Sequence, residues 1–444
     1  MTTAHEQLIG LADVPVADRP ARERLEPLWL QAANERLAQQ RERIPVLGRL
    51  AADVGVDEIR SFDDLIPLLF AHSNYKSYPE SFIAKGRWDL MNRWLDTLSS
   101  VRIDGVDVDG VANQDDWVER LHAAKHMVYV TSGTSGKNSF LPATPFDEQF
   151  SLRVLVSSVR SRPMFAGGER RAIFILGPKY GAHRAAQHFR ALVEEFGRPD
   201  ASYFLTEEPM RVSDISRMAE LRRKIAAGTA MPSEITAFER ETKARQEAMA
   251  TRLDGLIDKL IAHRHEPMFI GGFWAQYWLI VERARERGVG AGEFHPDTII
   301  TGGGGTKGAA MPEDYQEQIL RFFGISEGNV QSGYGMSELS SACTEIDGRY
   351  RPPPWVIPLV LDDGGEKLVH QPEGLVEGRF AFFDTALEGR WGGVVTGDHV
   401  TADFSPRDIS VVPGSIERYS VLEGGDDKLT CAGTIDAYVR GVME

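Results

Sequence analysis

The chain alternates between long stretches with helical spacing and short apolar runs closed by glycine. From Arg22 to Ala52, Leu30, Ala33 and Leu37 recur on one helical face, with Glu35, Arg36, Arg41 and Glu42 elsewhere. Ser61-Phe62-Asp63-Asp64 offers a helix-capping signal ahead of an apolar run that reaches Phe70. Trp88, Met91, Leu95 and Leu98 form a further helical stripe, and such aromatics and leucines read as core. Val101 and Ile103 before Asp104-Gly105 predict a strand entering a tight turn. The aspartates between Asp104 and Asp116 do not make a calcium loop. Val111 falls on a ligand position, and Ala112 falls where the sharp turn needs glycine.

An αβ rhythm follows. Met127 to Val130 reads as a strand, as do the runs Ala172 to Leu176, Ala201 to Leu205, Pro267 to Ile270 and Asp297 to Thr301. Helical stretches separate them, at His183 to Phe196 (stopped by Gly197), Arg211 to Arg264 and Trp274 to Arg287. Strand, glycine, helix, strand predicts a mainly parallel sheet covered by helices, with ligands at the carboxyl ends of its strands. Beyond Pro352-Pro353-Pro354 the pattern turns β-rich. Lys367 to His370, Gly378 to Phe383, Val394 to Asp398, Ile409 to Val412 and Arg418 to Leu422 read as strands of a smaller sheet. The predicted fold is α/β, with a large N-terminal core over 1–350, a β-rich subdomain over 351–425 and a short tail over 426–444.

Composition narrows the function. With 50 basic and 65 acidic residues the net charge is 50 − 65 = −15, which disfavours nucleic acid and anionic membrane as partners. Cys343 and Cys431 are the two cysteines, so no disulfide framework is implied. No basic-then-apolar leader and no apolar run of about 20 residues is present, so a soluble, cytoplasmic protein is expected.

Three stretches carry candidate chemistry. Thr131-Ser132-Gly133-Thr134-Ser135-Gly136-Lys137 follows a strand. Its glycines let backbone N–H groups approach an anion, its hydroxyls add donors, and its lysine neutralises charge. The spacing is not that of the common phosphate loop of nucleotide hydrolases. It fits either a cradle for nucleotide phosphates or a solvated turn. Gly333-Tyr334-Gly335-Met336-Ser337-Glu338 offers a carboxylate beside a hydroxyl, which suits a magnesium site or a helix cap. Gly302 to Gly305, before Thr306-Lys307-Gly308, lies at the end of a predicted strand.

Taken in order with Thr396-Gly397-Asp398, the stretches 131–137 and 333–338 resemble the signature of the acyl- and aryl-adenylating superfamily. The N-terminal helices and the αβ rhythm most resemble its phenylacetate–CoA ligase branch. The glycine run from Thr301 to Gly308 and Cys431 resemble more closely the acyl-protein synthetase of the bacterial bioluminescence fatty acid reductase. That resemblance implies ATP and Mg2+ as cofactors and a carboxylic acid as substrate. Thr131 to Lys137 would hold the β- and γ-phosphates, and Tyr334, with Gly335 beside it, would pack on adenine. Ser337 would touch the α-phosphate, Glu338 would bind magnesium, and Asp398 would accept from the ribose hydroxyls. Gly303, Gly304 and Gly305 would let the backbone pass close to nucleotide and acyl group. Cys431 would accept the acyl group, as the cysteine of that synthetase does, and a protein partner would receive it next.

Two departures matter. Gly425 stands where the superfamily's hinge carries arginine, with Arg418 as a substitute that spacing does not show. The superfamily's C-terminal small domain, about a hundred residues, has no counterpart after the hinge. A ligase that forms a CoA thioester directly, or a non-catalytic adenylate-binding subunit, are the alternatives. Phe269, Phe273, Trp274 and Tyr277 suggest an apolar or aromatic acid if they line a pocket, and a packed core helix if they do not. The identity of the acid, the final acyl acceptor and the oligomeric state are not legible in the sequence.

Overall fold

A computed structural model describes the chain except for residues 1, 16–17, 132–136, 162–164, 166–167, 304–309, 370, 372, 423–428, 430–432, 434 and 440–444. Two compact units result. The first comprises 1–132, 137–157 and 334–444, and the second 133–136 and 158–333.

The N-terminal apolar stripes of the first unit become the helices Arg22–Gln40, Pro45–Val54 and Trp88–Leu98. Ser61 caps as expected, accepting from the Asp64 amide while Asp64 accepts from the Ser61 amide. The helix it starts is short, Phe62–Leu65, and the apolar run then changes conformation to form strand β1, Phe70–Ala71. Trp88, Met91, Leu95 and Leu98 are all buried. The strand expected at Val101 to Ile103 does not form. Ile103 is instead pinned through its amide to Asp96 Oδ1 at 2.8 Å, so this backbone pairs with a side chain rather than a ladder.

Strands β2 (Met127–Val130) and β3 (Phe140–Ala143) form an antiparallel pair, with Val130 opposite Phe140. The candidate phosphate loop is therefore the connection of this hairpin. Its base is closed by Thr131, whose amide donates to the Ser139 carbonyl at 3.1 Å and whose hydroxyl accepts from the Ser139 amide at 3.1 Å.

In the second unit β4 (Arg171–Pro178), β5 (Gly197–Thr206), β6 (Met268–Gly271), β7 (Ile299–Thr301) and β8 (Val330–Gln331) make one parallel sheet in the order β5-β4-β6-β7-β8. The helices Pro232–Ala262, Trp274–Glu286 and Tyr315–Phe323 lay apolar faces on it, joining Phe174, Ile270 and Ile300 in one core. Each fully buried Ile or Phe there contributes about 1.5–3 kcal/mol. Gly197 ends the helix Arg184–Phe196 for a reason other than left-handed backbone. It is extended, at φ −82°, and a Cβ there would meet the Val193 carbonyl oxygen at 2.5 Å.

The remaining strands belong to a nine-stranded sheet. They are β9 (Gly333–Tyr334), β10 (Cys343–Ile346), β11 (Arg349–Arg351), β12 (Val356–Leu361), β13 (Gly374–Asp384), β14 (Gly393–Phe404), β15 (Ile409–Val411) and β16 (Glu417–Arg418). The order is β12-β13-β14-β15-β11-β10-β9, with β16 antiparallel and β1 parallel to β14. Of the run expected at Lys367 to His370, the described residues 367–369 contribute a bridge, Leu361 to Leu368, rather than a strand, and His370 lies outside the described residues. Arg418 closes β16, and Tyr419–Val421 turns into 3-10 helix instead of continuing it. No helix among the described residues is long and apolar enough to cross a membrane.

Candidate nucleotide site

Three groups of motif residues fall in the first unit. Asp398 lies within β14, directly opposite Arg418 on β16. The residue is 4 % exposed. Oδ2 accepts from the Tyr334 hydroxyl at 2.8 Å, and Oδ1 accepts from Arg418 Nε at 3.0 Å. The Asp398 amide donates to Thr396 Oγ1 at 3.1 Å, and that hydroxyl donates to the Phe380 carbonyl at 2.7 Å. Thr396 thus fixes the backbone that aims the carboxylate. The Tyr334 ring meets Phe380 edge-on, with centroids 5.4 Å apart. Burial, and then the Asp398 charge, push its phenol pKa well up, so the hydroxyl stays a donor.

Ser337 and Glu338 occupy a turn rather than the start of a helix. The turn is held from beneath by Arg390, which is fully buried. Arg390 Nη2 donates to the Glu338 carbonyl at 2.9 Å and the Ser337 carbonyl at 3.2 Å, and Nη1 donates to the Pro142 carbonyl on β3 at 2.9 Å. Asp384 secures the next residues, accepting from the Ser340 amide at 2.6 Å and the Ala386 amide at 3.0 Å. Burial raises the Asp384 pKa against the pull of these hydrogen bonds. Asp147 receives the Glu388 and Gly389 amides at 2.7 and 2.8 Å. Gly389 has no alternative residue, since a Cβ would lie 2.4 Å from Ala143 Cα.

Lys137 ends the hairpin connection. Its ammonium donates to the Tyr78 carbonyl and lies 4.3 Å from the Tyr78 ring centroid. The Tyr78 hydroxyl donates to the Asn138 carbonyl at 3.0 Å. Tyr78 itself packs against Trp94 and Phe140. The aromatic core thereby anchors the end of a glycine-rich loop. Of the residues expected to cradle phosphate, Thr131 and Lys137 are described; Ser132, Gly133, Thr134, Ser135 and Gly136 lie outside the described residues, as do Gly304, Gly305 and Cys431.

In the second unit, Gly303 has φ +153°, a value suited to glycine, and its carbonyl accepts from the Trp274 amide at 3.4 Å. Phe269, Trp274 and Tyr277 are core residues, and Phe273 is exposed. Tyr277 donates to the Ile270 carbonyl at 2.9 Å and its hydroxyl meets Thr301 Oγ1 at 2.9 Å, fastening the helix Trp274–Glu286 to β6 and β7.

Arg390, Tyr78, Asp384 and Asp147 were not singled out by sequence reasoning. A buried arginine has the same letter as a surface one. The signal available for Arg390 was its setting between Gly389 and Trp391-Gly392-Gly393, where glycines leave room for a large side chain.

Among the described residues no group of three or more His, Cys, Asp or Glu is placed to hold a metal by itself. A magnesium ion carried on nucleotide phosphates needs one or two protein carboxylates and keeps several waters. Glu338, a half-buried carboxylate in a fixed turn, fits that requirement.

No protein-family model matches the chain, and no curated protein matches it. Among solved structures it is similar to an acyl-CoA synthetase (AMP-forming)/AMP-acid ligase II-like protein from Dyadobacter fermentans, at 14% identity and a TM-score of 0.34, over 67% of this chain and 62% of that one. It is also similar to the adenylation domain of a keto acid-selecting NRPS module bound to keto acyl adenylate, at 13% identity and a TM-score of 0.25, over 66% of this chain and 78% of that one. The first match spans less than two thirds of the Dyadobacter protein.

Proposed function

We propose that the chain is an ATP- and magnesium-dependent ligase of the adenylate-forming class. It activates a carboxylic acid as an acyl-adenylate and passes the acyl group to a thiol. The observation that carries this reading is the Tyr334 to Asp398 hydrogen bond, which joins two motifs 64 residues apart. Arg390 adds a tie from the Ser337-Glu338 turn to the hairpin arm bearing the phosphate loop.

In this reading a substrate carboxylate oxygen attacks the α-phosphorus of ATP, the bond to the β-phosphate oxygen breaks, and pyrophosphate leaves. Both reactants are anions, so oriented N–H donors and positive charge must offset their repulsion. Lys137 and the loop amides serve the β- and γ-phosphates, and Ser337 the α-phosphate. Asp398 holds the ribose hydroxyls, and the Tyr334 ring borders the adenine. Magnesium, when bound at Glu338, supplies charge stabilisation on the phosphates. The thiolate of Cys431, or of a partner, then attacks the acyl carbonyl and AMP leaves. Phe269, Trp274 and Tyr277 pack in the core and so do not define the acid's pocket; the cytoplasmic locale and the domain limits 1–350, 351–425 and 426–444 belong to the same proposal.

Exchange of radiolabelled pyrophosphate into ATP, screened over a panel of carboxylic acids, tests the first half. Acid-dependent exchange is expected. ATP binding without exchange for any acid would turn the reading to a non-catalytic adenylate-binding subunit. Intact-protein mass after incubation with ATP, magnesium and the active acid tests the second half. A hydroxylamine-labile adduct is expected on the native chain and not on Cys431→Ser.

A further inference from the structure

The stretch 417–421 runs over the surface of the first unit. Glu417, Arg418, Ser420 and Val421 are exposed, and Tyr419 among them is buried, at 5 % exposure. β16 has two residues and meets β14 at two positions, Asp398 to Arg418 and His399 to Glu417. A ladder this short holds weakly, because water competes for the same backbone groups. The Arg418 side chain is 63 % exposed, yet its Nε donates to Asp398 Oδ1 at 3.0 Å. Keeping that guanidinium beside the buried carboxylate needs an anchor besides the ladder.

Tyr419 supplies it. The Arg379 guanidinium carbon sits 3.7 Å from the Tyr419 ring centroid. Arg379 is fully buried on β13, and a cation over an aromatic face is held most strongly away from water. The His399 ring meets Tyr419 edge-on, with centroids 5.6 Å apart. The Tyr419 hydroxyl donates to Asp363 Oδ1 at 2.9 Å. Asp363 lies in a turn that is itself fastened. The Gly365 amide donates to the Asp362 carbonyl at 2.9 Å, and Asp362 Oδ1 accepts from the Glu366 and Lys367 amides at 2.8 and 3.1 Å.

Arg379 carries the contact further. Its Nε donates to the Asp363 carbonyl at 3.0 Å and its Nη1 to the Thr396 carbonyl at 3.0 Å. Thr396 is the residue whose hydroxyl accepts from the Asp398 amide. Tyr419 therefore reaches Asp398 by two routes, through Arg418 at the carboxylate and through Arg379 and Thr396 at the backbone.

We propose that Tyr419 is a positioning residue for the nucleotide. It pegs β16 to the sheet, so that Arg418 stays on Asp398 and the carboxylate stays aimed. Arg418 also offsets a negative charge that would otherwise repel the phosphates of ATP. This inference rests on the assignment of Asp398 to the ribose hydroxyls.

Calorimetric titration with ATP, together with KM for the acid from pyrophosphate exchange, tests the peg. Tyr419→Leu should weaken ATP binding at least fivefold, with KM for the acid near native, in a chain that still unfolds cooperatively. Tyr419→Phe keeps the ring on Arg379 and should stay within about threefold of the native affinity. Tyr419→His, whose ring falls short of Asp363, serves the same comparison if the leucine variant does not fold. The decisive readout is the double variant. With Asp398→Ala already in place, Tyr419→Leu should weaken ATP binding less than about twofold further, because the group it positions is gone. Native affinity in Tyr419→Leu beside a loss in Asp398→Ala would overturn the peg alone. Effects that multiply in the double variant would make Tyr419 merely structural and overturn it too. No ATP binding by the native chain, or native binding in Asp398→Ala, would overturn the nucleotide site and the peg with it.

Discussion

Asp398 is a buried carboxylate held by two donors, the Tyr334 hydroxyl and Arg418 Nε. Each carboxylate oxygen accepts about two hydrogen bonds, so the proposed ribose contacts would take the second position on each. Hydrogen bonds to a charged group contribute about 1.5–3 kcal/mol apiece. Asp398→Ala should therefore weaken ATP binding at least tenfold by calorimetry while the far-ultraviolet spectrum is retained; unchanged affinity would remove Asp398 from the site. Glu338→Gln keeps the shape of the turn and removes its charge. It should lower pyrophosphate exchange at least a hundredfold, the several kcal/mol a phosphate-bound metal supplies. Exchange at the native rate would sink the magnesium assignment. At this scale the sequence offered Glu338, Asp398 and Lys137 as candidates, and the structure places Asp398 within β14 and Glu338 in a turn. The sequence did not announce Arg418 as the partner of Asp398, since 20 positions along the chain carry no information about strand pairing. The ladder between β14 and β16 supplies it.

Among elements, the turn at Ser337-Glu338 and the hairpin β2–β3 share one fastening, Arg390. Removing it leaves three carbonyls without their donor, at about 1–3 kcal/mol for each buried one. Arg390→Met should thus lower stability by several kcal/mol. Arg390→Lys should fold better yet reach fewer of the three carbonyls. If Arg390 positions the Glu338 turn, the lysine variant will show a reduced kcat for exchange with KM for the acid near native. A proportionate loss of active protein alone would mark the residue as merely structural. Most helices and the parallel strands β4 to β7 were legible because their periodicity is local. The elements that failed, at Val101 to Ile103, Lys367 to His370 and beyond Arg418, are short segments whose neighbours decide their state. Ile103 is claimed by Asp96, and Tyr419 by Asp363 at 2.9 Å.

Across the molecule, the αβ rhythm gave four of the five parallel strands in sequence, β4 to β7, but β8, the lateral order and the recruitment of Phe70–Ala71 into the antiparallel sheet depend on contacts far apart in the chain. Within the second unit, His188 Nε2 accepts from Arg184 Nε at 3.2 Å. Burial, and then the Arg184 charge, lower its pKa from 6.5 to about 3. The unfolded chain gains a proton below pH 6.5 that the folded chain refuses. This contribution is therefore complete above pH 6.5 and is lost as pH falls toward 3. One proton gives at most about 1.4 kcal/mol per pH unit. His188→Gln should be less acid-sensitive than the native chain by about 2 kcal/mol between pH 7 and pH 5. Urea unfolding at the two values measures this, and identical pH dependence would refute it.

The pairing of β1 with β14 sets Phe70 beside Val394, and the Trp391 indole donates to the Leu68 carbonyl at 2.8 Å. On a ribosome these partners emerge far apart in time. At about 5–20 residues per second the interval is roughly 20–60 s. During it the N-terminal helices have been made but lack the sheet that covers them. The strands of the parallel sheet, from Arg171 to Gln331, are all synthesised inside that interval. The unit that starts first thus finishes last, and its apolar faces are the part of the nascent chain most in need of a chaperone.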